Sequence, residues 1–236
     1  SGIKMTRKTY KLISVCVIFL FCSFSVFAGD IASFVNFGFS ENAKYFMFGM
    51  YGIDDKTVPY AETYIVNVSN NTFAPNGVEK ATFREDIQPG QQGLGALFTV
   101  YKHVVPETKR YEINHLQTGR ILYLLLNGDD PKDTIEFRDF QTGNKYKVRL
   151  VQSRYESNKT VSSSFFIDLD VVFADGKTNQ FTVGLPDYRR EGVKSYRIKQ
   201  IIAGPDEESL VFVVQKIQED TEGVDIRYMV ETVYIN

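Results

Sequence analysis

The chain has no tryptophan, two cysteines and two histidines among its 236 residues, and each scarcity excludes a class of chemistry. Both cysteines, Cys16 and Cys22, lie in an N-terminal segment with the features of a leader. The rest of the chain can therefore form neither a disulfide nor a thiolate metal site. The two histidines, His103 and His115, are twelve residues apart and show no metal-ligand spacing. These residues give no basis for a cofactor, and we predict none.

A stretch long enough to cross a membrane as a helix is also lacking. The apolar run over residues 12–27 has 16 residues, fewer than the roughly 20 that a spanning helix needs. It follows the basic residues Arg7, Lys8 and Lys11, and Val26-Phe27-Ala28 at its end supplies the small residues that a signal peptidase requires. We predict a signal peptide over residues 5–28, with residues 1–4 an expression scar or an upstream start.

Cleavage before Gly29 would release a periplasmic or secreted protein without a stable membrane span. Two alternatives stay open. The leader could be retained as an anchor, or Cys22 could be lipidated, although the large pair Leu20-Phe21 before it suits a lipoprotein signal badly. The chain is exported in each case.

An excess of basic residues is absent as well. Four of the 27 basic residues precede Gly29, which leaves 23 basic against 29 acidic side chains in the predicted mature chain. Affinity for nucleic acid depends on clustered lysine and arginine that neutralise phosphates. We therefore predict no nucleic-acid partner.

Alternating apolar and polar residues are abundant after residue 28, with Gly, Asn and Asp between the runs, and this pattern indicates antiparallel strands. The clearest hairpin runs over residues 134–151 and turns at Gln141-Thr142-Gly143-Asn144. A second hairpin over residues 165–183 turns at Asp175-Gly176. The chain also holds 19 Phe and 14 Tyr, whose rings suit strands and buried faces.

We predict a mainly β fold in one domain over residues 29–236. Its strands, about 11–13 in number, are expected to form an antiparallel meander in a sandwich-like or barrel-like sheet. One segment departs from the alternation, because residues 94–105 place Leu97, Tyr101 and Val104 at helical spacing. This spacing predicts one amphipathic helix near residues 94–105, ended by Pro106.

A short internal similarity joins the two ends of the predicted domain. Residues 40–48 and 204–212 both read as a turn followed by a buried strand, at an offset of 164, and the same offset relates Tyr64 to Tyr228. Both segments resemble the strand-turn-strand of β-propeller blades of the Tol-Pal type. A small or partial propeller is therefore the alternative to the sandwich-like sheet.

Residues 29–68 carry a distinctive series of motifs. Gly38-Phe39-Ser40 precedes an aromatic strand, Tyr51-Gly52 follows it, and Pro59-Tyr60-Ala61-Glu62 precedes the next strand. This series resembles a bacterial family of predicted secreted proteins whose domain has no known function. The resemblance implies export and a helix followed by hairpins, and it implies no activity. The loop that is often glycine-rich in that family reads Ile53-Asp54-Asp55-Lys56-Thr57-Val58 here.

The loop between these two strands is the predicted binding surface. Loops on a rigid sheet often carry binding residues, and this loop combines aromatic rings with acceptor groups. The candidate binding residues are Tyr51, Asp54, Asp55, Tyr60 and Glu62. Alternatively, the two tyrosines cover the core and Glu62 is solvated.

A weaker candidate is a calcium site in Asn127-Gly128-Asp129-Asp130-Pro131-Lys132-Asp133, since calcium is bound by six to eight oxygens. Asp129, Asp130 and Asp133 would be the ligands. The segment lacks the Asp-x-Asp-x-Asp-Gly order, and its composition also suits a plain turn between strands. We therefore predict no metal site, with this loop as the alternative.

No nucleophile elbow or metal motif accompanies these features, so a catalytic residue is not assigned. We predict an exported envelope protein that acts by binding or assembly, with a protein or an envelope polymer as partner. The alternative is an envelope hydrolase that uses the carboxylates Asp54, Asp55 and Glu62. That alternative requires two carboxyl groups roughly 5–9.5 Å apart in a pocket.

Overall fold

The fold is described by a computed structural model over residues 29–54, 56–85, 87–88, 91–157, 160–219 and 223–236. The predicted leader and Asp55 lie outside these residues. Fourteen strands and one helix follow in chain order. They are β1 (Ser33–Ser40), β2 (Tyr45–Ile53), β3 (Pro59–Asn67), β4 (Thr72–Thr82), α1 (Leu94–Arg110), β5 (Ile113–Asn114), β6 (Arg120–Leu124), β7 (Thr134–Arg138), β8 (Lys145–Ser157), β9 (Thr160–Val172), β10 (Thr178–Val183), β11 (Arg190–Glu191), β12 (Val193–Ala203), β13 (Ser209–Glu219) and β14 (Val224–Tyr234).

The strands form three open sheets whose strand pairs are antiparallel. The N-terminal sheet has the order β4-β3-β2-β1-β5, and the central sheet has the order β14-β13-β12-β6. The outer sheet has the order β10-β9-β8-β7, with β11 beside β9. This arrangement confirms the mainly β, sandwich-like meander. Two of the fourteen strands, β5 and β11, are only two residues long.

The central sheet lies between the other two and is buried on both faces. Along β13, Leu210 and Phe212 contribute to the apolar cluster with the outer sheet, whereas Val211 and Val213 contribute to the cluster with the N-terminal sheet. A strand buried on both faces needs apolar residues at consecutive positions rather than at alternate ones. The run Leu210-Val211-Phe212-Val213-Val214 meets that requirement, and all five residues are fully buried.

The helix α1 covers the opposite face of the N-terminal sheet. Leu97 and Val100 pack with Ala61, while Val104 packs with Met47 and Ile65. The molecule is therefore a stack of four layers: helix, N-terminal sheet, central sheet and outer sheet. No helix among the described residues has the length and apolar character needed to cross a membrane.

The prediction that Pro106 ends the helix is wrong, because α1 continues to Arg110. Proline cannot donate to the carbonyl four residues earlier, which here belongs to Lys102. Both residues are on the exposed side of the helix, where water can donate to the Lys102 carbonyl instead. The buried stripe continues past the proline through Thr108 to Tyr111. Burial of that stripe offsets the missing hydrogen bond.

The predicted hairpins are present, and the internal similarity corresponds to matching hairpins. β2 begins at Tyr45 and β13 at Ser209, which are 164 residues apart. Tyr64 and Tyr228 are both buried in the cluster between the N-terminal and central sheets. The two halves of this interface are therefore built from similar strand-turn-strand units. The resemblance of these units to propeller blades stays a prediction.

Candidate functional site

The structure distributes the predicted binding residues over both faces of the N-terminal sheet. Tyr51 pairs with Ala61 in the ladder and lies on the helix side. Tyr60 and Glu62 belong to the alternate set of β3 residues, which faces the central sheet. Tyr51, near the end of β2, and Asp54, in the loop after it, also line a small pocket of about 380 Å³ beside Gly29 and Gly93.

Asp54 and Tyr60 have local contacts that stabilise the fold. An Asp54 carboxylate oxygen accepts from the backbone N–H of Lys56 at 2.9 Å and of Val58 at 2.7 Å. The Tyr60 hydroxyl donates to Asp30 at 3.2 Å, and the Arg227 guanidinium lies over the Tyr60 ring, 4.5 Å from its centroid. Burial raises the pKa of the Tyr60 hydroxyl, so it remains a neutral donor.

Glu62 is held in a cluster with two neighbouring side chains. It accepts a hydrogen bond from the Tyr64 hydroxyl, and Lys80 Nζ lies 3.3 Å from its carboxylate. The Lys80 ammonium is also 5.1 Å from the centroid of the Tyr64 ring. Burial is the main cause that raises the pKa of Tyr64, and the Glu62 charge adds to it. The Glu62 carboxylate is therefore already paired with a cation and a hydroxyl.

Metal-binding geometry is absent from the described part of the chain, where no three His, Cys, Asp or Glu side chains gather around one point. The weak calcium candidates Asp129, Asp130 and Asp133 are exposed and form no such group. His115 instead lies between the Tyr101 hydroxyl, at 2.6 Å, and the Phe37 carbonyl, at 2.7 Å. His103 is 3.5 Å from Glu79 on the exposed side of the helix.

A cleft of about 1330 Å³ lies where the edge strand β14 runs between the N-terminal and outer sheets. We call it the inter-sheet cleft. Its floor is formed by residues 228–234 of β14, and one wall carries Tyr64, Phe73 and Lys80 of the N-terminal sheet. The opposite wall is formed by residues 182–185 and 188–191, from the end of β10 to β11. Clefts between packed elements, with aromatic walls and a few polar groups, are where ligands usually bind.

Glu231, on the floor of this cleft, is a buried acidic residue. Asn71 Nδ2 donates a hydrogen bond to its carboxylate, and Arg190 Nη2 is 3.7 Å away. Asn71 Oδ1 in turn accepts from the Thr232 N–H at 2.9 Å. Asn71 has φ 51°, a left-handed conformation that asparagine adopts more readily than most residues. Burial raises the pKa of Glu231, although Asn71 and Arg190 oppose this shift.

Basic side chains outnumber acidic ones along the cleft. Lys80, Arg189, Arg190 and Lys216 line it, against Glu191 and Glu231. Arg190 lies 4.8 Å from the centroid of the Tyr188 ring, and its Nη1 atom is buried without a hydrogen-bond partner among the described residues. Burial lowers the pKa of Lys216. An unpaired guanidinium nitrogen and a desolvated ammonium both favour an anionic ligand.

No single segment of the sequence predicts this cleft. Asn71 and Glu231 are separated by 160 residues, and Arg190 comes from a third segment. One local signal was present: Glu231 interrupts an otherwise apolar run in the last strand, Tyr228-Met229-Val230-Glu231-Thr232-Val233. A charge in a strand of that kind indicates either a buried partner or a functional group.

The fold and the cleft define a stacked-sheet β protein with a groove along one sheet edge. Residues 47–234 match the family described as "Predicted secreted protein (DUF2259)", and the chain belongs to that family. A search of curated proteins found no match, and neither did a search of solved structures. Membership confirms the predicted family and the class of secreted proteins.

Proposed function

We propose that this protein is an exported, non-catalytic binding module of the bacterial envelope that holds its partner in the inter-sheet cleft. The observation that carries the proposal is the cleft itself, with aromatic walls and an excess of basic side chains. Export is supported by the secreted family and by the predicted signal peptide over residues 5–28. A periplasmic or secreted location follows from the same proposal.

The contacts of the predicted carboxylates favour binding over hydrolysis. Hydrolysis of a glycosidic bond requires one acid that can donate a proton and a second, free carboxylate. Asp54 accepts two backbone N–H groups within its own loop, and Glu62 is paired with Lys80 and Tyr64. The hydrolase alternative would need these pairs to be broken before catalysis.

Photo-crosslinking in intact cells tests the proposal. Phe73, which lines the cleft and is 59% exposed, is replaced by p-benzoylphenylalanine. The matched control is the same replacement at Phe98, which is 60% exposed on the helix. A third variant carries the probe at Tyr51, beside the predicted loop surface. We expect a discrete adduct from position 73 and none from position 98.

Three results would contradict the proposal. Identical adducts from positions 73 and 98 would indicate nonspecific collision. A discrete adduct from position 51 alone would place binding at the predicted loop instead of the cleft. Turnover of a cell-wall polymer by the purified protein, lost on Glu62→Gln substitution, would favour the hydrolase alternative.

A further inference from the structure

The edge of β14 that faces away from β13 forms the floor of the inter-sheet cleft, where Val230 is 8% exposed. β14 is the last strand of the central sheet and pairs only with β13 among the described strands. Ile226 donates its N–H to the Asp30 carbonyl at 2.9 Å and accepts from the Ala32 N–H at 3.0 Å. The main-chain groups of Ile226 therefore point away from β13.

The same orientation applies to every second residue of the strand. The β13–β14 register runs without a shift from Val224 to Tyr234, so main-chain direction alternates strictly along it. Tyr228, Val230 and Thr232 consequently also present their N–H and C=O groups to the cleft. The outer edge of the central sheet is thus a row of donors and acceptors.

Only part of this row has partners. The Tyr228 N–H contacts Met50 Sδ at 3.4 Å, and the Thr232 N–H donates to Asn71 Oδ1. Neither the N–H nor the C=O of Val230 has a hydrogen-bond partner among the described residues. Unpaired main-chain groups at a sheet edge are the groups to which an incoming strand binds.

The walls determine which side chains such a strand would carry. A strand added to β14 points alternate side chains toward the two sheets that flank it. On one side it meets the rings of Tyr64 and Phe73, which stack with centroids 5.4 Å apart. On the other side it meets Arg190, whose Nη1 atom has no described partner. One wall therefore suits apolar side chains and the other suits carboxylates.

We propose that the partner is an extended polypeptide that adds to β14 as a further strand of the central sheet, with acidic side chains directed at Arg190. This inference rests on the proposed binding function and specifies its ligand. An extended polypeptide carries main-chain donors and acceptors at the spacing of the Val230 N–H and C=O. The excess of basic groups along the cleft complements an acidic segment.

Panning a library of random short peptides against the purified protein tests the inference. We expect enriched peptides to alternate apolar and acidic residues. Their affinities are then measured by calorimetry on the protein and on an Arg190→Gln variant. The matched control is Arg154→Gln, since Arg154 is a strand arginine of the outer sheet that pairs with exposed Glu156. Arg190→Gln should weaken binding about tenfold, and Arg154→Gln should leave it unchanged.

N-methylated peptides test strand addition without altering the protein. One peptide is methylated at every odd backbone nitrogen and a second at every even one. Only one set of N–H groups can face β14, so one methylated peptide should lose at least about tenfold in affinity while the other retains it. Equal affinities, or no enriched peptide at all, would overturn the inference.

Two further outcomes separate this inference from the proposed function. A discrete adduct at position 73 in cells, with no peptide binding in solution, would overturn strand addition and leave the binding module standing. Sedimentation showing a dimer that protects the Val230 amide from hydrogen exchange would place a second copy at the edge, which also overturns the inference.

Discussion

Asp139 and Glu231 are both buried, but folding shifts their pKa values in opposite directions because their surroundings differ. Arg120 donates to both Asp139 oxygens, at 2.7 and 2.9 Å, and Thr142 Oγ1 donates to one of them at 2.6 Å. These bonds, that of Arg120 first, hold the pKa of Asp139 well below its usual range. At Glu231 the contacts with Asn71 and Arg190 lower the pKa less than burial raises it, so the net shift is upward. Each shift makes the stability of the fold depend on pH.

Asp139→Asn should destabilise the protein by about 2–3 kcal/mol at pH 7, since a charged, nearly buried acceptor of Arg120 is lost. The pKa of Asp139 is lowered on folding, so its contribution is fully present above the unfolded value near 3.8 and is lost progressively as the pH falls from there toward the lower folded value. Denaturant unfolding of both proteins from pH 7 to pH 3 measures the difference. Asp187→Asn, at an exposed carboxylate, is the control. A difference that does not change with pH would contradict the assignment.

Glu231→Gln should change the free energy of unfolding at pH 7 in the direction opposite to Asp139→Asn. The pKa of Glu231 is raised on folding, so its ionised form costs stability at neutral pH and protonation restores it as the pH falls toward 4.5. The variant should be more stable by roughly 1 kcal/mol at pH 7, because a neutral amide avoids the cost of burying a charge while its oxygen still accepts from Asn71. Its advantage should shrink on acidification. A variant less stable at pH 7 would show that the Arg190 contact outweighs burial.

Among the elements, α1 is one whose start can be predicted from the local apolar spacing but whose end cannot. The apolar spacing predicts the start of the helix at Leu94, because the stripe begins there. It does not predict the end, since continuation through Pro106 depends on burial of Thr108 and Tyr111 against the N-terminal sheet. The helix is thus longer than its local sequence alone favours.

Pro106→Ala should therefore stabilise the protein, by about 1–2 kcal/mol. Alanine restores the hydrogen bond to the Lys102 carbonyl and has the higher helix propensity, while the lost rigidity of proline in the unfolded chain offsets part of the gain. Urea unfolding measures the change. Pro131→Ala, in the exposed loop before β7, is the matched control and should not stabilise. Loss of stability in Pro106→Ala would contradict this account of the helix.

Strands were predictable where alternation and a turn lie close together in the chain. In the β7–β8 hairpin, Ile135 and Val148 are paired and buried, as the alternation predicts. β5 and β11 were not predictable, because two residues carry no period. Arg190 belongs to β11, whose pairing with Ser163 of β9 is set by the fold. The sequence around Arg190 therefore gives little indication that this residue lies in the wall of a cleft.

At the scale of the whole molecule, the stacking order was not readable from the sequence. β6 pairs with β12, although more than seventy residues separate Tyr123 from its partner Ile201. That pairing makes β6 one edge strand of the central sheet, and β14 is the other. The candidate cleft arises from this order of layers, which no single segment specifies. For that reason the cleft lies outside the predicted binding loop, which stays a separate prediction.

The central sheet also couples the two flanking layers, which bears on the prediction of one domain over residues 29–236. Phe212 packs toward the outer sheet and Val213 toward the N-terminal sheet, so two adjacent residues report on separate interfaces. If the stack unfolds as one unit, Phe212→Ala and Val213→Ala should each lower the stability of both layers. The expected losses are about 3–5 kcal/mol for the phenylalanine and about 2 kcal/mol for the valine.

Hydrogen exchange followed by mass spectrometry distinguishes one unit from two, by comparing amide protection in β2 of the N-terminal sheet with that in β9 of the outer sheet. Val151→Ala, at a 39% exposed position, makes the same chemical change as Val213→Ala with little loss of burial and is the control. Equal loss of protection in β2 and β9 would support a single cooperative domain. Loss confined to β9 in Phe212→Ala, and to β2 in Val213→Ala, would show that the layers unfold separately. The milder valine variant keeps this test decisive even where the phenylalanine variant does not fold, because the cavity left by a valine truncation is small.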